Sequence, residues 1–162
     1  MRQIHPLQPI YNKNSKILIL GSFPSENSRE NNFYYANKNN RFWRVIEKLF
    51  ESKLISNEDK INILLTNHIA LWDVINSCEI HKSSDSSIKD IIPNDINSII
   101  NNSDIKYIFV NGKKALELYN KYLLAVTKLS AIYLPSTSSA NASYSLDKLV
   151  YFYKIILEYL KK

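Results

Sequence analysis

The segment Lys16-Ile-Leu-Ile-Leu-Gly-Ser-Phe-Pro-Ser25 carries the clearest indication of the fold class. Its first five residues form a short apolar run, which ends at Gly21, one of only two glycines in the chain. A short apolar run bounded by a turn residue is typical of a buried strand in a parallel sheet. The segment Ile105-Lys-Tyr-Ile-Phe-Val110 repeats the pattern and leads into Asn111 and the second glycine, Gly112. Both segments therefore predict buried strands.

Further strands and amphipathic helices alternate with these two runs. Residues 131–134 predict a third strand, and residues 69–72 predict a weaker fourth. Apolar residues at helical spacing predict helices around residues 42–50, 115–119 and 146–160. Strands that alternate with helices are typical of right-handed crossovers and a parallel sheet. The sequence therefore predicts an α/β fold, a three-layer α/β/α sandwich with a central, mainly parallel sheet of about four strands.

Length and composition indicate a single folded domain. The chain has 162 residues, of which 45% are hydrophobic and 22% charged, ordinary proportions for a globular protein. No internal repeat or linker divides it, and the polar stretch from Ser77 to Asp90 predicts a surface loop. Because this length suits one hydrophobic core, we expect one domain over residues 1–162.

Charge and cysteine content restrict the function classes. The 21 Lys and Arg residues against 15 Asp and Glu give a formal net charge of +6, which favours a polyanionic partner. The single cysteine, Cys78, excludes an intrachain disulfide and a multi-cysteine metal site. The three histidines, His5, His68 and His81, lack ligand-like spacing. No apolar run approaches the roughly 20 residues that span a bilayer. We expect a cytoplasmic monomer without metal, cofactor or membrane association.

Polar loops follow three of the predicted strands. Gly21 and Gly112 each stand at the carboxyl end of a strand, and Leu134-Pro-Ser-Thr-Ser-Ser-Ala-Asn141 follows a third. Open α/β sheets bind ligands beyond the carboxyl ends of their strands, and glycine permits close approach there. The alternative role of each glycine is a tight turn between strand and helix. We expect a site assembled from the three loops.

Six ordered motifs give the chain a family resemblance. They are Gly21-Ser-Phe-Pro-Ser25, Phe33-Tyr-Tyr-Ala-Asn-Lys-Asn-Asn-Arg-Phe-Trp43, His68-Ile-Ala-Leu-Trp-Asp-Val-Ile75, Ser83-Ser-Asp-Ser-Ser-Ile88, Val110-Asn-Gly-Lys113 and Leu134-Pro-Ser-Thr-Ser138. Together they resemble the uracil-DNA glycosylase superfamily, and within it the hypoxanthine-DNA glycosylases. The resemblance implies a monofunctional, cofactor-free enzyme that releases hypoxanthine from deoxyinosine in DNA. The alternatives are a uracil or mismatch-specific glycosylase of the same fold, and a basic DNA-binding domain without activity.

The resemblance also implies which residues bind the base. A glycosylase holds an extruded base by stacking and by hydrogen bonds to its edge. Tyr35 is the implied stacking residue, with a loop-anchoring tyrosine as the alternative. Asn111 is implied to bind the base edge through its amide, with a structural Asn-Gly turn as the alternative. Phe23 completes the base-binding set, whereas Phe42 and Trp43 are expected in the core.

The catalytic position departs from most of the resembled superfamily. Uracil-specific members carry an aspartate there, and mismatch-specific members an asparagine, where this chain has Phe23, which cannot orient water. In the hypoxanthine-specific branch the catalytic asparagine lies in the Asn-Arg-Phe-Trp region, which corresponds to Asn40. Asn39 is the neighbouring alternative, and capping of the following helix is a structural role that suits Asn40. Many relatives also carry a histidine where this chain has Leu134.

Hydroxyl side chains of the first and third loops are candidates for binding DNA phosphates. Such contacts position DNA without reading its sequence. The candidates are Ser22, Ser25, Ser136, Thr137 and Ser138. Turn formation and helix capping are the alternative roles for these side chains.

Overall fold

The structure is a computed structural model that describes residues 2–80 and 88–162. These residues contain seven strands and eight helices. In chain order they are β1 (Arg2–Ile4), β2 (Ile17–Gly21), α1 (Glu26–Asn31), α2 (Phe42–Leu49), α3 (Asn57–Thr66), β3 (Ile69–Asp73), β4 (Ile75–Glu79), β5 (Lys89–Pro93), α4 (Ile96–Asn101), β6 (Tyr107–Asn111), α5 (Lys113–Tyr122), α6 (Leu124–Thr127), β7 (Ala131–Leu134), α7 (Leu146–Tyr153) and α8 (Ile155–Leu160). The four predicted strands correspond to β2, β3, β6 and β7.

The central sheet has the strand order β3-β2-β6-β7, and each neighbouring pair is parallel. Ile17 of β2 lies opposite Ile69 of β3 and Tyr107 of β6, while Asn111 of β6 lies opposite Leu134 of β7. This register brings the carboxyl ends of the four strands to one edge of the sheet. The predicted, mainly parallel sheet of about four strands is confirmed.

Apolar cores cover both faces of the central sheet, because alternate residues of a strand point to opposite sides. Ile19 belongs to one core, with side chains of α2, α3, α7 and α8. Leu20 belongs to the other, with side chains of α4 and α5. Phe42 and Trp43 lie in the first core, as expected. The molecule is therefore the three-layer α/β/α sandwich that the sequence predicts.

A second, antiparallel sheet of order β1-β4-β5 has no counterpart in the sequence-based prediction. Ser77 and Glu79 lie in β4 and Asp90 lies in β5, so the predicted surface loop from Ser77 to Asp90 is wrong at both ends. These strands are not evident in the sequence because polar residues interrupt their apolar pattern. Backbone hydrogen bonds form the sheet instead, between β4 and its neighbours β1 and β5. Residues 81–87, which contain His81 and most of the fourth motif, lie outside the described residues.

Local interactions explain the helix boundaries that differ from prediction. The unpredicted helix α3 begins with a capping box, in which the Ser56 and Asp59 side chains each accept the other residue's backbone N–H. Only Leu64 of this helix is fully buried, which leaves a weak apolar pattern. The single helix predicted over 146–160 is interrupted at Lys154, although the Lys154 N–H still donates to the Val150 carbonyl.

No helix of the described ranges is long and apolar enough to cross a membrane.

Candidate active site

A cavity of about 840 Å³ lies at the carboxyl edge of the central sheet. This volume is in the range of small-molecule sites. The loops after β2, β6 and β7 all contribute to its wall, as the sequence predicts. Eight candidate residues line it: Ser22, Phe23, Ser25, Tyr35, Asn40, Asn111, Ser136 and Ser138. The other two candidates, Asn39 and Thr137, are not part of the wall.

Tyr35 gives the cavity a supported aromatic surface. Its ring stacks on the buried Phe42 ring, with the centroids 4.3 Å apart and the planes inclined by 21°. Burial, and after it the negative charge of Asp73, raises the pKa of the Tyr35 phenol above its ordinary range. The phenol therefore keeps its proton at neutral pH. A neutral aromatic ring backed by a second ring suits a planar, uncharged ligand.

The Asn111 side chain joins the end of β6 to two loops through its amide. Its Nδ2 donates to Tyr35 Oη and to Thr137 Oγ1, both at 3.1 Å, and its Oδ1 accepts from the Thr137 N–H at 3.1 Å. The structural Asn-Gly turn is present as well, because Gly112 adopts a φ of 100° immediately before α5. Asn111 thus lines the cavity with its amide donors already engaged in internal bonds.

Arg41, a residue that the sequence analysis did not single out, fastens the loop after β7 to the start of α2. Its guanidinium donates to the carbonyl oxygens of Ser138 at 2.8 Å, of Asn141 at 3.2 Å, and of Tyr144. Its backbone N–H donates to the Thr137 carbonyl at 3.0 Å. Charge-assisted hydrogen bonds of this kind are stronger than neutral ones. Arg41 therefore fixes the loop that carries the third motif.

The candidate phosphate-binding side chains differ in accessibility. Thr137 is fully buried and its hydroxyl accepts from Asn111, so this side chain is out of reach of a DNA phosphate in the structure. Ser25 caps α1 by accepting a backbone N–H of its first turn, and Ser136 accepts the Ser138 N–H at 3.2 Å. Capping and turn formation are therefore present at Ser25 and Ser136, which also line the cavity.

Asn40 combines a structural bond with an available amide group. Its Oδ1 accepts the Phe42 N–H at 2.9 Å in a turn just before α2, whose N-cap residue is Arg41, so Asn40 does not take the helix-capping role weighed from the sequence. Its Nδ2 has no hydrogen-bond partner within residues 2–80 and 88–162, and the residue lines the cavity. Asn39 is exposed to solvent outside the cavity. Of the two asparagines, Asn40 is the one whose amide can meet a ligand or water in the cavity.

His5 and Asp73 form a buried pair that the sequence analysis missed. Asp73 ends β3 and lines the cavity, and its Oδ2 lies 2.8 Å from His5 Nε2. The His5 ring also meets the Phe23 ring edge-on, with the centroids 5.8 Å apart. The position of Asp73 at the end of a strand was an available signal, whereas no pattern connects His5 to it. In the described part of the chain, no cluster of His, Cys, Asp or Glu could hold a metal ion.

The fold and the cavity define a class of α/β proteins with a ligand-sized cavity at the carboxyl edge of a parallel sheet. A family model described as the uracil DNA glycosylase superfamily matches residues 8–161. The chain belongs to this superfamily, as its motifs indicate.

Two curated relatives and one solved structure give closer comparisons. The chain is 34% identical over 142 residues to a Methanosarcina acetivorans protein named hypoxanthine DNA glycosylase, a match covering 86% of this chain and 89% of the relative. A Methanosarcina barkeri protein of the same name is 33% identical over 136 residues, covering 82% and 85%. The solution NMR structure of a Methanosarcina acetivorans protein described as a uracil DNA glycosylase superposes with a TM-score of 0.82. It has 32% identity, and the match covers 100% of both chains.

Proposed function

We propose that the protein is a monofunctional DNA glycosylase, built as one domain, that hydrolyses the N-glycosidic bond of deoxyinosine in DNA and releases hypoxanthine. The observation that carries this proposal is the cavity in which a stacked Tyr35 lies with Phe23, Asn40 and Asn111 at the edge of the sheet. Such a cavity suits a base extruded from the helix. The names of the two Methanosarcina relatives and the net charge of +6 support the same function.

The aromatic residues and Asn111 bind the base in this proposal. Tyr35 stacks on the extruded base, an interaction worth about 1–3 kcal/mol, and Phe23 provides a second apolar contact. Asn111 exchanges its bond to Tyr35 Oη for a bond to the base carbonyl. Its remaining bonds to Thr137 keep the amide in place during this exchange.

Asn40 acts on the water or on the charge that develops as the base departs. An amide is too weak a base to remove a proton early, so the glycosidic bond breaks first and water is only positioned. The bond from the Phe42 N–H to Asn40 Oδ1 preorganises the amide. Phe23 occupies the place of the water-binding side chain of uracil-specific members, and Asn39 is the alternative catalytic residue.

A base-release assay tests the proposed function. Oligonucleotides that contain deoxyinosine, deoxyuridine, deoxyxanthosine or only normal bases are incubated with the protein, and the freed bases are separated by chromatography. We expect free hypoxanthine and an abasic strand that breaks only after alkali, with no effect of EDTA. Release of uracil alone would favour the uracil-specific alternative, and no release from any strand would favour a DNA-binding domain without activity. Strand breakage before alkali would contradict the monofunctional mechanism.

DNA binding is expected to weaken steeply as salt increases. We propose that Ser22, Ser25, Ser136 and Ser138 contact phosphates together with Lys113 and Lys114, which also line the cavity. Each neutralised phosphate releases counterions and contributes roughly −0.9 to the slope of log affinity against log salt on B-DNA. The slope is measured by fluorescence anisotropy with an end-labelled duplex. The double substitution of Lys113 and Lys114 by alanine should reduce its magnitude, and a flat dependence in the unmodified protein would contradict the electrostatic mode of binding.

A further inference from the structure

The Asp73 carboxylate presents an unused hydrogen-bond acceptor to the cavity. Asp73 lies opposite Gly21 in the sheet, is only 4% exposed, and belongs to the cavity wall. Within the described residues, Oδ2 has one partner, His5, and Oδ1 has none. Because Oδ1 is not fully buried and Asp73 lines the cavity, a ligand in the cavity can supply the missing donor.

His5 fixes which groups this pair can present. The Leu7 N–H donates to His5 Nδ1 at 3.1 Å, so that nitrogen carries no proton. The proton of the neutral imidazole is therefore on Nε2, from which it is donated to Asp73 Oδ2 at 2.8 Å. Both ring nitrogens of His5 are hydrogen-bonded, so moving the proton from Nε2 to Nδ1 would break these bonds. The carboxylate is thereby oriented, with Oδ2 occupied and Oδ1 left for the cavity.

Oδ1 occupies the space that a side chain at Gly21 would fill. An added side-chain carbon at Gly21 would lie 2.4 Å from Asp73 Oδ1 and 3.0 Å from Tyr35 Oη. The missing side chain thus leaves the carboxylate and the phenol next to each other at the cavity wall. Asn111 Nδ2 also lies against Tyr35 Oη, at 3.1 Å. The acceptor Asp73 Oδ1 and the donor Asn111 Nδ2 therefore both lie near the Tyr35 hydroxyl.

We propose that Asp73 selects the base, by accepting at Oδ1 the ring N–H that lies beside the carbonyl of a lactam base such as hypoxanthine. This inference rests on the proposed function and names the residue that sets its specificity. Adenine presents a lone pair instead of an N–H at the corresponding ring nitrogen, so the carboxylate repels it. Asn111 supplies the matching donor for the carbonyl. The oriented Asp73 carboxylate therefore favours hypoxanthine over adenine.

The substitution Asp73→Asn tests this selection by exchanging an acceptor for a donor. The His5 Nε2–H requires the new amide oxygen at the Oδ2 position, which leaves the amide NH₂ toward the ligand. Binding is measured with two duplexes that differ only in holding a sugar-fluorinated, uncleavable deoxyinosine or deoxyadenosine. The unmodified protein should prefer the deoxyinosine duplex by about tenfold or more, and the Asp73→Asn variant should lose or reverse that preference. Asp104→Asn, an exposed substitution with the same charge change, should retain it.

A double variant separates base selection from other roles of Asp73. In His5→Ala with Asp73→Asn, the amide can turn its oxygen toward the ligand, so part of the deoxyinosine preference should return. If Asp73→Asn does not fold, Asp73→Ser supplies the same test and should also lose the preference. An unchanged preference in the folded variant, even with lost cleavage, would overturn the inference. Failure of the proposed function is distinct, because it is the absence of hypoxanthine release by the unmodified protein.

Discussion

Replacing Asn40 with alanine is expected to slow single-turnover release of hypoxanthine by about 10²–10³-fold, the usual effect of removing one preorganised polar group at a reacting centre. The amide lines the cavity and its Nδ2 has no protein partner in the described ranges, so it is free to act on water or on the departing base. Affinity for uncleavable deoxyinosine DNA should change little. Rapid-quench kinetics with excess enzyme measures the rate, and anisotropy measures the binding.

The matched comparison for this substitution is Asn39→Ala at the exposed neighbouring position. We expect near-normal cleavage from that variant, because Asn39 is not part of the cavity wall. Asn40→Ala also removes the bond to the Phe42 N–H, and the loss of one such hydrogen bond costs about 1 kcal/mol of stability, so thermal unfolding must accompany the kinetics. Normal cleavage by a stable Asn40→Ala protein, with a large loss in Asn39→Ala, would move catalysis to Asn39.

Gly21→Ala is expected to reduce hypoxanthine release by about 10²-fold or more, although the site keeps all its functional groups. The new methyl carbon would lie 2.4 Å from Asp73 Oδ1 and 3.0 Å from Tyr35 Oη, so at least one of these groups must move. A displacement of about 1 Å in a reacting geometry can cost a factor of 10². Single-turnover kinetics and circular dichroism measure the two effects that matter, activity and folding.

The comparison that isolates this steric effect is Gly21→Ala combined with Asp73→Ser, whose shorter side chain makes room for the methyl group. The double variant should lose less thermal stability than the sum of the losses measured for Gly21→Ala and Asp73→Ser separately. If Gly21→Ala alone is folded and fully active, the methyl group is accommodated, and the close approach of Asp73 and Tyr35 to Gly21 is not needed for catalysis.

The central layer of the fold could be predicted because buried parallel strands are almost continuously apolar. Ile17–Gly21 and Tyr107–Asn111 show this pattern clearly, and both are strands. The second sheet could not be predicted in the same way. Its strand Ile75–Glu79 mixes polar and apolar residues and owes its conformation to backbone pairing with β1 and β5.

The same distinction between local and distant interactions applies to the candidate site. Tyr35, Asn40 and Phe23 belong to ordered motifs, and the structure brings all three to the cavity. The bond between His5 and Asp73 joins positions 68 residues apart, and no local pattern encodes it. The burial of Thr137 likewise depends on how its loop packs, so a hydroxyl that looked suited to phosphate instead holds Asn111.

Arg41 has a consequence for the order in which the molecule folds. Its bond to the Tyr144 carbonyl spans 103 residues, and the bond between Asn111 and Tyr35 spans 76. Contacts between such distant positions form late, since closing a long loop costs chain entropy before the contact stabilises it. The central sheet needs pairings of the same kind, such as the one between Ile17 of β2 and Tyr107 of β6, so the sheet and the site are completed in the same late stage. The capacity to cut a base from DNA therefore requires the whole fold, because no part of the chain closes these contacts on its own.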